Sequence, residues 1–171
     1  MDYRQFIRDI PDYPKAGIIF KDITPLLGDG AALQSAIADM AKPFAAASID
    51  MVVGMESRGF LFGPGVAGHL GCGFAPVRKP GKLPYLKESI SYELEYGSDT
   101  LEIHTDAVGA GSRVLIVDDL LATGGTAAAT AQLIEKIGGV VAGFSFVIDL
   151  AFLNGAAVLG NRSIESLIRY T

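Results

Sequence analysis

Two adjacent carboxylates, followed by a short loop of threonine and glycine, form the most informative segment of the sequence. Asp118 and Asp119 follow the apolar run 113–117, and residues 122–126 then lead into a predicted helix. Glycine lets backbone N–H groups approach an anion closely, and a helix N-terminus presents N–H groups that have no partner within the helix. The two threonine hydroxyls of the loop are further donors. The loop therefore predicts a cradle for one phosphate group.

The two carboxylates need a different partner, because they would repel a phosphate. A vicinal diol, such as the 2- and 3-hydroxyls of a ribose, can donate hydrogen bonds to them. One ligand with a 5-phosphate and a free diol would satisfy both halves of the segment. Direct metal binding by the acids, or simple capping of the loop, are the alternatives. The segment is neither a Walker A loop nor a dinucleotide-binding fingerprint, because it has neither the Gly-Lys-Ser/Thr nor the G-x-G-x-x-G pattern.

This combination of acids and loop resembles the phosphoribosyl pyrophosphate motif of the type I phosphoribosyltransferases. The resemblance implies that Asp118 and Asp119 hold the ribose hydroxyls while the loop holds the 5-phosphate. It also implies that pyrophosphate is displaced in line, and that the required Mg²⁺ is held mainly by substrate oxygens and water rather than by a dedicated protein site. The loop residues assigned to the 5-phosphate in this way are Ala122, Thr123, Gly124, Gly125 and Thr126.

Residues 14–25 resemble the N-terminal hood of the adenine-specific branch of that family. The resemblance implies that Ile19 and Lys21 read adenine through their backbone groups and that the Phe20 ring stacks on the purine. Some relatives carry arginine where this chain has Lys21, but a backbone contact would tolerate that difference. The alternative is an N-terminal segment that only packs on the core.

Two further segments resemble the family's pyrophosphate-binding elements. In residues 56–60 the resemblance assigns the Ser57 backbone and the Arg58 guanidinium to the pyrophosphate, a group that suits the fixed donor fork of arginine. A nucleophilic serine is excluded here, since the spacing is not G-x-S-x-G. In residues 78–84 it assigns Lys79 and Lys82 to the same group. A solvated surface loop is the alternative for this basic cluster.

Residues 92–97 resemble the family's catalytic loop. The resemblance implies that Glu95 handles the purine proton or stabilises charge near the reacting atoms, and that Tyr96 helps to close the site. With Arg58, these two residues form the predicted catalytic set. A carboxylate acting on adenine needs to reach hydrogen-bond distance only after closure.

The resemblance implies a specific reaction, in which adenine and 5-phosphoribosyl 1-pyrophosphate give AMP and pyrophosphate. A phosphoribosyltransferase for another base, such as xanthine or orotate, is the closest alternative. A non-catalytic regulator that senses phosphoribosyl pyrophosphate and binds DNA would need a basic surface, and a pyrophosphokinase would need an ATP site. The net charge of −5 and pI of about 4.9 disfavour nucleic-acid binding.

The elements that must position these residues alternate between strands and helices. Strands are predicted at 50–55, 74–77, 113–117 and 140–150, helices at 31–47 and 125–137, and a glycine-rich, closely packed helix within 58–73. The segments 91–96 and 100–104 predict a hairpin. This order predicts an α/β fold with a mainly parallel, twisted sheet flanked by helices. We expect one domain, 1–171, with a hood at 1–30 and a flexible loop and hairpin at about 80–105.

The remaining features concern the setting of the protein. The N-terminus has neither the basic start nor the apolar run of a signal peptide, and the most apolar stretch, 140–160, is interrupted by Asp149 and Asn154. With Cys72 as the single cysteine, the chain cannot form an internal disulfide. These features predict a cytoplasmic protein that does not bind membranes, and the family resemblance implies a homodimer. The tail after Asn154 receives no functional interpretation.

Overall fold

A five-stranded sheet, parallel throughout, lies at the centre of the computed structural model, which describes residues 1–93 and 97–171. The strand order is β4-β3-β7-β8-β9. Two antiparallel hairpins, β1-β2 and β5-β6, lie outside this sheet. The strands are β1 Arg8–Pro11, β2 Ile19–Asp22, β3 Met51–Met55, β4 Gly73–Val77, β5 Lys87–Glu93, β6 Ser98–His104, β7 Arg113–Leu121, β8 Val140–Leu150 and β9 Ser163–Tyr170; the α-helices are α1 Thr24–Gly28, α2 Gly30–Ala41, α3 Gly63–Leu70 and α4 Gly125–Lys136.

The central strand β7 is apolar on both faces because helices cover both sides of the sheet. Leu115 and Val117 pack with residues of α2 and α3, whereas Val114 and Ile116 pack with residues of α4. All four side chains are fully buried. Continuous apolar runs are typical of parallel strands covered on both faces. The predicted α/β architecture is confirmed.

The sequence placed the end of β7 too early. The predicted strand stopped at residue 117, before the two acids, but the observed strand continues to Leu121 and pairs with β8 at Asp118, Leu120 and Leu121. Pairing with β3 ends at Val117. From Asp118 onwards β7 therefore has a neighbour on the β8 side alone, and its polar side chains can face an opening beside β3.

The helical predictions were correct in place but not in length. A helix was expected over 31–47, but α2 ends at Ala41 and a 3-10 turn that contains Pro43 follows it. Proline has no N–H to continue the helical hydrogen bonds. The glycine-rich segment forms a 3-10 turn at Arg58–Leu61 and then α3. Its packing is as close as expected, because a methyl group at Gly65 would lie 2.8 Å from Ile37 Cδ1.

Three strands were missed, namely β1 and β2 of the hood and β9 of the central sheet, and the predicted hairpin was placed imperfectly. The sequence predicted a loop after residue 150, but β9 returns to the sheet and pairs in parallel with β8. Only Ile168 of β9 is fully buried, so the strand carries little apolar signal. The predicted hairpin is present as β5-β6, which begins earlier than expected and is joined to the end of β4 by the bridge between Arg78 and Glu102.

Along residues 1–93 and 97–171, no helix is both long and apolar enough to cross a membrane.

Candidate active site

A cavity of about 380 Å³ opens where β3 and β7 end. Open α/β sheets bind ligands at the carboxyl ends of their strands, and the polar ends of β3 and β7 meet at this edge. The cavity brings together most of the residues assigned to the phosphate, the ribose and the pyrophosphate. Those that line it are Ser57, Arg58, Lys79, Asp118, Asp119, Ala122, Thr123, Gly124, Gly125 and Thr126.

The loop at residues 122–126, the phosphate loop, offers donors that the protein itself does not use. Gly124 adopts a left-handed conformation with φ of 83° and precedes the first residue of α4. Its carbonyl accepts the Ala128 N–H at 2.9 Å. Within the described residues, no hydrogen bond uses the backbone N–H of any residue from 123 to 126. Four unpaired N–H groups at and just before the start of a twelve-residue helix have the donors and the orientation of the helix dipole that suit an anion.

The two carboxylates at the end of β7 are crowded and largely withdrawn from water. Asp119 is only 2% exposed, and its N–H donates to Asp118 Oδ1 at 2.9 Å. A methyl group at Gly59 would lie 3.1 Å from Asp118 Oδ1, so the glycine makes room for that carboxylate. Burial, followed by the Asp119 charge, raises the pKa of Asp118 well above its ordinary value. Burial also raises the pKa of Asp119, although the Arg58 charge acts in the opposite direction.

Arg58 connects these acids to the hood. Its Nε lies 3.0 Å from Asp119 Oδ2. That oxygen is buried and accepts no directed hydrogen bond from any described group, so the contact is ionic. On its other side, Arg58 Cζ lies 5.4 Å from the centroid of the Phe20 ring, within the range of a cation–π contact. One guanidinium therefore contacts both the predicted ribose site and the predicted purine stacker.

The predicted pyrophosphate lysines both contact carboxylates. Lys79 pairs with Asp99 inside the cavity, and Lys82 pairs with Glu56. Lys82 is not among the residues that line the cavity, so the structure does not place it with Lys79 there. The hydrogen bond from Lys82 is the main cause that lowers the pKa of Glu56, and the bond from Lys79 is the main cause that lowers the pKa of Asp99. These lysines thus already have anionic partners.

Three polar residues of the cavity lining received no role from the sequence: Glu56, Tyr92 and Asp99. Glu56 Oε2 accepts the Lys79 N–H at 3.0 Å, which fixes the start of the basic segment. The Tyr92 hydroxyl lies 3.0 Å from Thr126 Oγ1 and donates to Asp99 Oδ2 at 3.3 Å. Tyr92 therefore joins the β5-β6 hairpin to the phosphate loop.

A sequence signal for one of these contacts existed. Tyr92 and Asp99 lie opposite each other in the hairpin register. Side chains opposite each other on one face of an antiparallel pair are neighbours, so a correct register would have paired them. The Glu56 contacts carry no such signal, because they join the end of β3 to a loop that follows β4.

The hood residues do not line the cavity. Ile19 is 55% exposed, and the Phe20 ring makes an edge contact with Tyr13, with 5.2 Å between the centroids. Lys21 Nζ lies 2.7 Å from Asp9 Oδ1 and 4.1 Å from the centroid of the Tyr170 ring. Its side chain is thus engaged within the protein, and only its backbone is available for the role that the resemblance implies.

The remaining two catalytic predictions, Glu95 and Tyr96, lie outside the described residues. Their roles stay predictions from the family resemblance.

Comparison with known proteins identifies close relatives. Residues 27–151 match the phosphoribosyl transferase domain family. The sequence is 57% identical over 167 residues to the adenine phosphoribosyltransferase of Methylococcus capsulatus, which covers 98% of each chain. The structure resembles the adenine phosphoribosyltransferase of Thermoanaerobacter pseudethanolicus with a TM-score of 0.95 at 53% identity, over 98% of this chain and 97% of that one.

A yeast relative provides a ligand-bound comparison. The adenine phosphoribosyltransferase of Saccharomyces cerevisiae, complexed with D-2,5-dideoxy-2,5-imino-altritol 1,6-bisphosphate and adenine, is 43% identical. Its TM-score to this structure is 0.89, over 96% of this chain and 95% of that chain. The similarity to these proteins thus extends beyond the phosphate loop to the hood and the tail.

The crowded carboxylates generate a prediction about stability. Asp118→Asn keeps the shape and the acceptor oxygen of the side chain but removes the buried charge. The pKa of Asp118 is higher in the folded protein than in the unfolded chain. Between these two pKa values the folded protein binds more protons than the unfolded chain, so the stability of the wild type falls as the pH rises through this range. We expect Asp118→Asn to raise the Tm by about 2–4 °C at pH 7, the effect of roughly 1 kcal/mol, and by less at pH 4.5.

The measurement is thermal unfolding at both pH values. Asp106→Asn, which removes one charge from an exposed turn, is the matched control and should change stability by less than about 0.5 kcal/mol. A Tm for Asp118→Asn that is equal to or below wild type at pH 7 would contradict the expectation.

Proposed function

The chain belongs to the phosphoribosyltransferase family, and we propose that it joins adenine to the ribose of 5-phosphoribosyl 1-pyrophosphate, giving AMP and pyrophosphate. The enzyme would thereby act in purine salvage. Adenine phosphoribosyltransferases that match it over nearly the whole chain support this assignment.

One observation carries the proposal: four unpaired N–H groups and two adjacent carboxylates line the same cavity. The first set fits a phosphate, and the second fits a diol. Phosphoribosyl pyrophosphate carries both groups on one ribose. Arg58 and Lys79 line the same cavity and provide positive charge for its pyrophosphate.

The choice of adenine rests on the hood. Phe20 presents an aromatic ring beside Arg58, at the rim of the ribose site. The backbone groups of Ile19 and Lys21 can pair with the purine N1 and the exocyclic amine. Because the Lys21 side chain is engaged with Asp9 and Tyr170, the base would be read through the backbone.

The reaction breaks the bond between the anomeric carbon and a pyrophosphate oxygen and forms a bond from that carbon to adenine N9. The purine loses its imidazole proton in this step, and Glu95 would accept it in the role that the resemblance implies. Positive charge develops on the ribose as the leaving group departs. The cationic side chains Arg58 and Lys79 would stabilise the negative charge that accumulates on pyrophosphate, and Lys82 could join them by leaving Glu56. Closure of the loop that carries Glu95 and Tyr96 would exclude water and complete the site.

Mg²⁺ is proposed as the cofactor, and the site fits it. Asp118 is half-buried at the cavity and can offer a carboxylate oxygen, whereas Asp119 Oδ2 already contacts the Arg58 guanidinium. Mg²⁺ commonly binds to one or two carboxylates together with substrate phosphates and water. No cluster of three acid, histidine or cysteine side chains suited to a metal occurs among the described residues, so substrate oxygens would supply most ligands. When bound, Mg²⁺ would offset the charge of the pyrophosphate.

A non-catalytic sensor of phosphoribosyl pyrophosphate is the alternative of another class. Such a protein would need a basic surface for DNA, whereas this chain has a pI of about 4.9. The lysines of the basic segment are also paired with acids. The charge distribution therefore favours the enzyme.

The first experiment measures AMP formation by purified protein with phosphoribosyl pyrophosphate. Adenine, hypoxanthine, guanine, xanthine and orotate are offered separately, each with Mg²⁺ and with a chelator. We expect turnover with adenine alone and its loss on chelation. Turnover with another base would overturn the hood assignment but not the phosphate site, and binding of phosphoribosyl pyrophosphate without turnover would favour the sensor.

A second experiment tests the hood residue. Phe20→Leu removes the stacking ring, and base–aromatic stacking contributes about 1–3 kcal/mol in other systems. We expect the KM for adenine to rise about tenfold while the KM for phosphoribosyl pyrophosphate changes less than twofold. Phe152→Leu makes the same substitution at a ring that is 64% exposed and lies outside the hood, and it should change neither constant. An unchanged KM for adenine in Phe20→Leu would remove Phe20 from base binding.

We further propose a cytoplasmic homodimer. The lone cysteine suits a reducing compartment, and the family resemblance favours a dimer. Tyr85 and Leu86, which are 57% and 66% exposed, offer apolar surface for an interface. Light scattering at micromolar concentration should give twice the chain mass of 17.9 kDa, and a monomer would contradict the proposal.

A further inference from the structure

The segment after β8 packs directly against the phosphate loop. At Leu150 the strand ends, a 3-10 turn at Ala151–Leu153 follows, and Asn154 adopts a left-handed conformation with φ of 54°. A second 3-10 turn, Gly155–Leu159, then passes beneath the loop. This is the tail for which the sequence offered no role.

Two glycines make this contact possible. A methyl group at Gly155 would lie 2.1 Å from the Ala122 carbonyl oxygen and 2.9 Å from the Gly124 nitrogen. In return, a methyl group at Gly124 would lie 2.3 Å from the Gly155 carbonyl oxygen and 2.5 Å from Val158 Cγ2. Real side-chain carbons do not approach other atoms this closely. The two backbones therefore touch along a surface that leaves no room for a side chain on either.

The tail is itself fixed. Leu159 is fully buried and belongs to the same apolar cluster as Leu133 and Ile134 of α4. Gly155 is buried as well. The tail is thus anchored on the helix that begins at the phosphate loop, and it cannot easily move away from a bulkier neighbour.

We propose that Gly155 is a positioning residue for the 5-phosphate: its backbone supports residues 122–124, so that the unpaired N–H groups of the loop point at one place. The proposal rests on the function proposed above. It assigns a positioning role to a segment outside the motif that supplies the donors. Gly155 itself touches the loop, not the ligand.

The test is Gly155→Ala. Gly155 has no positive φ, so alanine adds a steric conflict with the loop and not a strained backbone at its own position. Displacing reacting or binding groups by about 1 Å can cost on the order of a hundredfold in activity. We expect the KM for phosphoribosyl pyrophosphate to rise about tenfold or more, with less than a twofold change in the KM for adenine.

A paired binding measurement separates the 5-phosphate from the rest of the ligand. AMP and adenosine differ in this phosphate, so calorimetric Kd values for both should show weaker AMP binding and unchanged adenosine binding in Gly155→Ala. Equal changes for the two ligands, or no change for either in folded protein, would overturn the proposal. If wild type itself does not prefer AMP to adenosine, the proposed function fails instead.

Two further variants complete the design. Gly68→Ala adds a methyl group to α3 where no atom lies within 4 Å, and it should leave both Kd values at wild-type levels. If Gly155→Ala does not fold, Val158→Ala tests the same support of the phosphate loop. Residue Val158 is 55% exposed, so this substitution should leave the fold intact. It removes a packing group beside Gly124 and should weaken AMP binding by about twofold or more without affecting adenosine; an unchanged AMP Kd would refute the support role.

Discussion

Two adjacent carboxylates near the end of β7, one buried and one half-buried, are the constraint around which the site is arranged. Asp118 and Asp119 follow each other on the central strand, where burial raises the pKa of both. Bare carboxylates in such a place are unfavourable unless something compensates them. Arg58 partly neutralises Asp119, and Gly59 leaves space for Asp118. The carboxylate oxygens that still lack a donor are available to a diol. The hydroxyls of a bound ligand would therefore supply hydrogen bonds that the folded protein does not.

Each of the three cationic side chains proposed for pyrophosphate already has a carboxylate partner. Arg58 contacts Asp119, Lys79 contacts Asp99, and Lys82 contacts Glu56. A pyrophosphate that takes up these cations must exchange with carboxylates that already hold them. Its binding free energy therefore depends on how much more favourable its ion pairs with these cations are than the carboxylate pairs that they replace. The phosphate loop differs in kind, since its N–H groups have no described internal competitor and can bind an anion without displacing one.

The parts of the fold that depend on local patterns could be predicted from the sequence. The apolar run of β8 was predicted with its observed bounds, Val140–Leu150. The helix after the phosphate loop was predicted from the spacing of its apolar residues and the two glycines that follow it, and its observed end differs by one residue. Contacts between distant segments could not be predicted. Glu56 meets Lys82 only because two loops converge, and β9 enters the sheet with Ile168 as its one fully buried side chain. The end of α2 is different, because it is a local feature: Pro43 cannot continue a helix, although the predicted helix extended past it.

The contact between Gly124 and Gly155 also has an evolutionary consequence. Each glycine excludes a side chain on the other, so neither position can accept a larger residue while its partner stays in place. A length change in the turn at Ala151–Leu153 would shift Gly155 relative to the phosphate loop and would be selected against for the same reason. Surface turns usually tolerate sequence drift. This one should be inherited together with the phosphate loop as a single unit, although about thirty residues separate the two in the chain.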